Sequence, residues 1–492
     1  MMMASFTLAE LAEGISARSD FLTKADLALS AVKINTDTRA IKTGDVFLAL
    51  RGDNFDGHDY LAQAEASGAI AAIVDETYVT DLKNKLNLSS AQPSYEPLSL
   101  LDSPLPLIVV ADTLLALGQA GLWNRKKFTG PMLAITGSAG KTSVKSMAAH
   151  MMKLVGECWS TPGNFNNHIG VPLTLLGLDA RYKSAVIELG ASGQGEIAYS
   201  AQFAKPDVAI ITNVSGAHLE GFGSIEIIMQ TKGEIIDSLS ADGCVVLNAD
   251  DVFYADWVLR AGERKVLSFA IENHADVMAK NIICDEEGCR FDLVYQQHRY
   301  PCSIPLLGQH NVLNALSAIA AGISLKLNLV AIIDQLKTMP PVAGRLQWLD
   351  GKDGIRIIND SYNASPASVK AAIDVLALWK EKAWLILGDM AELGEDSAAI
   401  HAEMGEYAQQ SGIANFVATG SFCRHAVEAF NQNEHIRNAR WFEQQSELLD
   451  YIHENKQPDQ VFLVKGSRSS GMDQIVSALS LDSVAQNGEG KV

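Results

Sequence analysis

Short apolar runs that alternate with helical patterns constrain the fold of this chain more than any other feature of its sequence. In the middle of the chain, the runs MLAIT, SAVIE, VAIITN and CVVLN are typical of strands, and apolar residues at helical spacing separate them. Such alternation is the pattern of a parallel sheet that carries helices on both faces. We therefore predict a mainly parallel, doubly wound α/β sheet in the central part of the chain.

Two further blocks flank this central pattern. The first has a β-type run at 46–50, a helical segment near 59–67 and an apolar run at 69–74, and a proline-bearing stretch at 82–106 follows as a loop and linker. After a pair of prolines that begins at Pro340, the runs IRIIN, AWLIL, NFVAT and VFLV again alternate with helical stretches. The length of 492 residues corresponds to about three domains. The sequence predicts a small N-terminal α/β domain (1–106), a central P-loop ATP-binding domain (107–340) and a C-terminal Rossmann-like α/β domain without a GxGxxG dinucleotide motif (341–492).

Charge and composition exclude several classes of function. A formal net charge of −19 argues against nucleic acid as a partner, because that binding depends on lysine and arginine. The most apolar long window, 315–333, contains Lys326 and Asn328, which predicts a buried helix rather than a membrane span. The N-terminus has no export signal, and Cys284 and Cys289 lack a metal-ligand pattern, so we expect a cytoplasmic protein with reduced thiols.

The stretch ITGSAGKTS at 135–143 has the character of a phosphate-binding loop. Two residues separate Gly137 from the Gly140–Lys141 pair, whereas the common loop has four. Glycines allow backbone N–H groups to approach phosphate oxygens at a helix N-terminus, lysine supplies a cation, and the hydroxyl of Thr142 can bind Mg²⁺. The predicted ATP-binding loop consists of Gly137, Ser138, Ala139, Gly140, Lys141, Thr142 and Ser143.

Other polar residues follow the strands of the same sheet. Glu188 ends the run SAVIE, and His218 follows the run VAIITN, so both are expected at the ligand-binding edge. With Thr142 they could hold Mg²⁺ that bridges nucleotide phosphates. Lys232, on a predicted helix, is by its pattern alone an ordinary solvated lysine.

Two more groups have open or weaker interpretations. Asn311 and Asn314, at the start of an apolar helix, could either bind the edge of a purine or cap that helix. In the third block, Arg345 follows the prolines, and Lys465 and Arg468 stand in the run KGSRS after a strand. Small residues beside two cations are suited to a carboxylate or phosphate, although a solvated basic turn is the alternative.

These motifs together resemble the Mur ligase family of peptidoglycan synthesis over nearly the whole chain. In place of AHLEGFGS, relatives tend to carry a Ser-x-Asp-His-type sequence, and several sister ligases carry KG-x-G-H-E where KGSRS stands here. In these two segments the chain resembles the branch of the family that adds D-alanyl-D-alanine to UDP-N-acetylmuramoyl-tripeptide. The resemblance rests on TDTR, GDVFLALRGDNFDGHDY, ITGSAGKTS, GNFNNHIGVPLTLL, AVIELGASGQGEIA, TKGEI, GQHNVLNAL, GRLQW, NDSYNASPAS, GDMAELGE and LVKGSRSSGMD.

The resemblance also implies roles for individual residues. Substrate contacts are expected from Thr38, Arg39, Asp56, His58, Asn166, Asn167, Asn363, Lys465 and Arg468, with the choice among Asn166, Asn167 and His168 left open. The implied adenine contacts are Asn311 and Asn314, and the implied nucleotide contacts from the third block are Arg345 and Asp360. Carbamylated Lys232 would join Thr142, Glu188 and His218 as metal ligands, and the implied catalytic residues are Lys141, Lys232, His218 and Arg345.

The implied reaction is ATP-dependent amide formation with Mg²⁺. A substrate carboxylate attacks the γ-phosphate of ATP, and the amine of D-alanyl-D-alanine then displaces phosphate from the acyl phosphate. Closure of the third block over the second, with a hinge near 340–344, would exclude water in a monomeric enzyme. The alternatives are another Mur ligase, a folylpolyglutamate synthase-like ligase, or an ATP-sensing binding protein, although the flanking substrate-like blocks argue against the last.

Overall fold

The structure is a computed structural model that describes residues 5–19, 21–52, 54–85, 103–215, 219–432 and 438–481. The chain forms two compact units. The first comprises Met1–Met132, Val155–Leu189 and Ala198–Pro206, and the second comprises Leu133–Leu154, Gly190–Ile197 and Asp207–Val492. Within the described residues, no helix combines the length and apolar character needed to cross a bilayer.

The N-terminal part of the first unit is a small parallel α/β layer, as the sequence predicts. Its main sheet has the strand order β3-β4-β7-β8 with every pair parallel, and residues of these strands form two apolar cores. The predicted linker at 82–106 begins as helix, since its first four residues end α4, and 86–102 lie outside the described residues. The elements are β1 (Phe6–Thr7), α1 (Leu8–Gly14), α2 (Lys24–Leu27), β2 (Ser30–Ala31), β3 (Ile34–Asn35), β4 (Val46–Leu48), β5 (Arg51–Gly52), β6 (Phe55–Asp56), α3 (Leu61–Ala66), β7 (Ala71–Asp75), α4 (Glu76–Lys85), β8 (Leu107–Val110) and α5 (Thr113–Arg125).

The central part of the chain contains the four predicted strands and five that the sequence did not predict, β10 and β14 to β17. These elements are β9 (Met132–Thr136), α6 (Lys141–Met152), β10 (Cys158–Ser160), α7 (Gly170–Leu176), β11 (Ser184–Glu188), α8 (Glu196–Ala204), β12 (Val208–Ile211), α9 (Leu219–Phe222), α10 (Ile225–Asp237), β13 (Cys244–Asn248), α11 (Tyr254–Ala261), β14 (Lys265–Ala270), β15 (Val277–Asp285), β16 (Gly288–Tyr295), β17 (His298–Ile304), α12 (Gln309–Ser324) and α13 (Leu329–Leu336). Strands β9, β12, β13, β14 and β15 pair in that order and parallel. The antiparallel strands β16 and β17 extend the sheet, and β10 pairs parallel with β11 in the first unit.

The apolar window at 315–333 is helical, as predicted, but a break divides it between α12 and α13. Eleven residues of α12 are buried, which accounts for the apolar composition of the window without a membrane.

The prediction of reduced thiols is wrong for one pair of cysteines. The antiparallel register of β15 and β16 places Cys284 opposite Cys289, and their sulfur atoms are bonded at 2.01 Å. Spacing along the sequence does not reveal this pairing, because it depends on where the hairpin turns. The other four cysteines are free thiols.

The C-terminal part of the second unit is a six-stranded sheet with helices on both faces. Its elements are β18 (Gln347–Asp350), β19 (Arg356–Asp360), α14 (Pro366–Leu376), β20 (Ala383–Leu387), α15 (Ser397–Gln410), β21 (Asn415–Thr419), α16 (Cys423–Phe430), β22 (Ala439–Phe442), α17 (Gln445–Asn455), β23 (Val461–Lys465) and α18 (Met472–Leu479). The strand order is β18-β19-β23-β20-β21-β22, and β18 alone in this sheet is antiparallel to its neighbour. Helices α14, α15 and α16 cover one face, and α17 and α18 cover the other. The chain therefore leaves the neighbouring strands β20 and β23 toward opposite faces, which opens a crevice at their carboxyl ends.

Candidate active site

The loop between β9 and α6 has the backbone geometry of a phosphate cradle. Gly137 and Gly140 have φ values of +148° and +81°, a region that side chains disfavour. A Cβ atom on Gly137 would lie 1.9 Å from Thr212 Oγ1, and one on Gly140 would lie 2.6 Å from Asn314 Oδ1. Helix α6 begins at Lys141 without a side-chain cap, which is the arrangement that a bound phosphate completes.

Residues that follow β12 brace this loop. Thr212 Oγ1 donates to Ala139 O at 2.6 Å, and Asn213 Oδ1 accepts from Ala139 N at 3.0 Å. The backbone N–H of Ser138 donates to Asn213 O at 2.9 Å. Sequence reasoning did not assign these residues, although the run TNVS at the end of a strand in the same sheet was a usable signal.

The two cations at the loop come from distant parts of the sequence. Lys141 Nζ donates to the carbonyl oxygens of Gly137 at 2.7 Å and Ser138 at 3.2 Å, so the side chain folds over its own loop. Arg345 Nη2 donates to Thr142 Oγ1 at 3.3 Å, and the guanidinium lies 4.4 Å from the centre of the Tyr362 ring. Arg345 Nε is buried and makes no hydrogen bond within the described part of the chain. Both cations at the loop are suited to phosphate oxygens.

Asp360 and Lys465 form a buried ion pair behind Arg345. Lys465 Nζ donates to Asp360 Oδ2 at 2.5 Å and to Asn363 O at 3.0 Å, and the Lys465 side chain is 2% exposed. The other carboxylate oxygen, Asp360 Oδ1, accepts from Leu346 N at 3.2 Å. Burial lowers the pKa of Lys465, whereas Asp360 opposes that shift. The structure therefore engages Lys465 with Asp360, and the more exposed Arg468 is the cation of KGSRS that faces outward.

Lys232 is buried on α10, contrary to the solvated position that its sequence pattern suggests. The residue is 2% exposed, and its Nζ lies 5.5 Å from the centre of the Phe222 ring. Burial first, and the charge of Lys141 second, lower the pKa of Lys232 to about 7, against the opposing effect of Glu196 and Glu234. The amine is consequently neutral in a large fraction of molecules near pH 7.

The paired asparagines do not cap α12, because Gly308 is the N-cap. Asn311 Nδ2 donates to Leu307 O at 2.8 Å, and Asn314 Nδ2 donates to Asn311 Oδ1 at 3.1 Å. Both are buried, and Asn314 lies against Gly140 of the loop. Contact with adenine remains a prediction.

In the first unit, the structure separates the roles of the neighbouring asparagines. Asn166 Nδ2 donates to Glu188 Oε1 at 2.9 Å. Asn167 Oδ1 instead accepts from Gly170 N at 2.7 Å at the start of α7. Asn166 is thus the member of this segment that contacts the predicted metal ligand, whereas His218 lies outside the described residues.

The predicted UDP-sugar residues fall into two groups in the N-terminal layer. Thr38 and Arg39 lie in a short 3₁₀ turn, where the exposed Arg39 pairs with Asp37 at 2.8 Å. His58 is buried: its Nε2 accepts from a backbone N–H at 3.2 Å, so Nδ1 carries the proton and donates to Asp56 Oδ1 at 2.6 Å. This pair braces the layer internally, and its contact with a substrate stays a prediction.

A cavity of about 510 Å³ lies at the carboxyl ends of β20 to β23. Its walls include Asp389, Thr419 and Ser467 from three different strand ends. Asp389, His401 and Cys423 lie close enough together to serve as metal ligands. Both His401 nitrogens are already hydrogen-bonded, however, since Nε2 accepts from Met390 N and Nδ1 donates to Ser397 O. The cluster therefore supports the cavity wall.

A parallel sheet with a phosphate loop, contacted by an arginine from the segment that precedes a second sheet, is the arrangement of a P-loop nucleotide-binding enzyme. Family models for the Mur ligase family catalytic domain, the Mur ligase middle domain and the Mur ligase glutamate ligase domain match residues 32–119, 135–322 and 344–468. The chain belongs to the Mur ligase family, and it is an ATP-dependent, amide-forming ligase with three α/β parts.

Several relatives cover nearly the whole chain. A UDP-N-acetylmuramoyl-tripeptide–D-alanyl-D-alanine ligase of Escherichia coli K12 is 38% identical over 97% of this chain and 99% of the relative. A crystal structure of MurF from Acinetobacter baumannii has a TM-score of 0.85 at 31% identity and covers 97% of this chain and 99% of that one. The MurF ligase of Thermotoga maritima in complex with ADP has a TM-score of 0.74 at 25% identity, with 90% of this chain and 96% of that one covered.

Proposed function

We propose that this protein joins D-alanyl-D-alanine to UDP-N-acetylmuramoyl-tripeptide at the expense of ATP, in peptidoglycan precursor synthesis. The observation that carries the proposal is the contact of Arg345 with the phosphate loop, where Nη2 lies 3.3 Å from Thr142 Oγ1. Relatives that match nearly the whole chain are named as ligases of this tripeptide and dipeptide. We also propose that the enzyme is cytoplasmic and monomeric, with functional regions at 1–106, 107–340 and 341–492. Gly344, with φ +68°, lies in the proposed hinge at 340–344.

The residues at the loop are suited to phosphoryl transfer, which depends on positioning and charge neutralisation more than on a protein nucleophile. The tripeptide carboxylate attacks the γ-phosphorus, ADP leaves, and the dipeptide amine then displaces phosphate from the acyl phosphate. Lys141 would exchange its two loop carbonyls for phosphate oxygens, and Arg345 would stabilise the charge that develops on the transferred group. Closure at the hinge would keep water from the acyl phosphate.

Carbamylation of Lys232 is supported by its environment. A neutral amine attacks CO₂ and loses a proton, which converts the side chain into a carboxylate. A pKa of about 7 supplies that neutral amine at physiological pH. The anionic product would also remove the unfavourable burial of an ammonium beside Lys141.

We propose that Thr142, Glu188, His218 and carbamylated Lys232 hold Mg²⁺. Oxygen ligands from a hydroxyl and carboxylates agree with the preference of this ion. When bound, Mg²⁺ neutralises phosphate charge and orients the γ-phosphate. Asn166, which donates to Glu188 at 2.9 Å, would orient that carboxylate.

We place the incoming dipeptide at the carboxyl ends of the C-terminal strands. The 510 Å³ cavity is large enough for a dipeptide, and its polar wall includes the carboxylate of Asp389. Arg468, on the loop that contributes Ser467 to this wall, can pair with the dipeptide carboxylate, and Asn363 lies on the next loop. Lys465 acts here through Asp360 rather than by direct contact.

A panel of donors and acceptors tests the proposal. Purified protein should release ADP only when both UDP-N-acetylmuramoyl-tripeptide and D-alanyl-D-alanine are present, with the diaminopimelate and lysine tripeptides compared. Turnover with single amino acids would indicate another Mur ligase, and turnover with glutamate and a folate would indicate a folylpolyglutamate synthase. ATP binding without any ligation would leave only a nucleotide-binding function.

A further inference from the structure

A disulfide-closed hairpin of the central sheet contacts the C-terminal sheet. The hairpin tip is the four-residue turn 285–288 between β15 and β16, and the disulfide of Cys284 and Cys289 flanks it. Trp348 Nε1 donates to the backbone oxygen of Glu286 at 3.1 Å, and Arg356 Nη1 lies 2.7 Å from Glu286 Oε2. One turn residue thus makes both hydrogen bonds.

The receiving surface is a stack of rings and a cation. The Arg356 guanidinium lies 4.0 Å from the centre of the Trp348 ring, and Trp348 packs edge-on against Trp379 with ring centroids 5.2 Å apart. Arg356 stands at the start of β19, and Trp348 lies in the middle of β18. Because β18 is an edge strand that pairs, among the described residues, with β19 alone, a contact with the hairpin tip can stabilise it.

The segment that leads into this strand also contacts the phosphate loop. Arg345, whose Nη2 lies 3.3 Å from Thr142 Oγ1, stands two residues before β18 begins. The central and C-terminal parts therefore meet at two places near the start of β18: the loop contact at Arg345, just before the strand, and the hairpin contact at Trp348, within it. A displacement of Trp348 by a change in the hairpin contact can therefore alter the position of Arg345, which precedes it by three residues.

We propose that the hairpin tip at Glu286 is a thiol–disulfide-sensitive latch that holds β18 so that Arg345 reaches the phosphate loop. The proposal rests on the proposed ATP site for its effect on nucleotide binding. In this role Glu286 is a positioning residue, since it acts through β18. The disulfide limits the conformations of the turn, so both acceptors of Glu286 stay in place.

Reduction opens the latch by exchange with a dithiol. A dithiol thiolate attacks Sγ of Cys284, the partly exposed member of the pair, and Cys289 leaves as the thiolate. The second thiol of the reagent then resolves the mixed disulfide. Two protein thiols and one oxidised dithiol result, so two electrons and two protons pass to the protein.

Hydrogen exchange of β18 tests the latch without any ligation assay. The full-length protein is compared before and after dithiothreitol, with the peptide that covers β20 as an internal reference. Reduction should raise exchange in 347–350 and leave β20 unchanged. The Cys284→Ser/Cys289→Ser variant should show the same exchange in β18 as the reduced protein, with no further change on addition of dithiothreitol. Unchanged exchange in β18 on reduction would overturn the proposal, whether or not the protein is a ligase.

Affinity for a fluorescent ATP analogue tests the link to Arg345. The Glu286–Arg356 pair is half-exposed, so Glu286→Gln should weaken binding by roughly two- to fivefold. Glu287→Gln is the matched control, because Glu287 lies in the same turn with its side chain 82% exposed. In an Arg345→Lys background the effect of Glu286→Gln should vanish. An equal loss in both backgrounds would refute positioning through Arg345.

Discussion

Lys232 offers the sharpest test of the candidate site, because one buried amine controls a measurable reaction with CO₂. Burial lowers its pKa from 10.5 to about 7. At pH 7 about half of the molecules then carry a neutral amine, against roughly 1 in 3,000 for a lysine that titrates at 10.5. At equal dissolved CO₂, carbamate should therefore form at Lys232 between pH 7 and 8, where exposed lysines remain ammonium ions.

The measurement is ¹³C NMR of the protein in ¹³C-bicarbonate, recorded from pH 6 to 9 at fixed dissolved CO₂. We expect a carbamate resonance that grows between pH 6 and 8 and is absent from Lys232→Arg. Lys145→Arg is the matched control, since Lys145 is also buried, on α6, and its replacement should leave the resonance in place. A signal that survives in Lys232→Arg, or that emerges only above pH 9, would show the reasoning to be wrong.

Three further predictions follow from the same contacts. In the wild type, the pKa of Lys232 is lower in the folded state than in the unfolded state, so stability without CO₂ rises with pH between about 7 and 10.5. Lys232→Met should therefore gain up to about 5 kcal/mol of stability, most at pH 6 and less at pH 9, in thermal melting. An equal gain at both pH values would contradict this. Gly137→Ala would place a Cβ 1.9 Å from Thr212 Oγ1 and should lower the affinity for an ATP analogue at least tenfold. The control Gly412→Ala, also at positive φ but in open space, should leave this affinity unchanged, and similar losses in both variants would refute the role of crowding. Lys465→Met leaves Asp360 buried without its cation and should destabilise the protein by about 3–5 kcal/mol in urea denaturation. The double variant Lys465→Met/Asp360→Asn should recover part of this stability, and no recovery would mean that the charge of Asp360 is not the cause.

Much of the fold could be predicted because the signals are local. The runs MLAIT, SAVIE and CVVLN coincide with β9, β11 and β13, and the glycine–lysine loop stands directly ahead of α6. The antiparallel strands β16 and β17 were not predicted, since their mixed polar pattern reflects one partly exposed face. The candidate site was predictable only in part: Lys141 and Thr142 carry a motif, whereas Thr212 and Asn213 are ordinary polar residues until the sheet brings β12 beside β9.

By itself, the sequence determined where strand, loop and helix succeed one another and which glycines the phosphate loop needs, because periodicity and backbone freedom depend on neighbours in the chain. Tertiary structure alone decided the contacts between distant residues: Arg345 at Thr142, Lys465 at Asp360, and the bond between Cys284 and Cys289. It also decided the character of Lys232, since burial on α10 and the nearby charge of Lys141 lower its pKa. Desolvation and Coulomb interaction depend on distance in space, and no pattern of letters around Lys232 contains that distance.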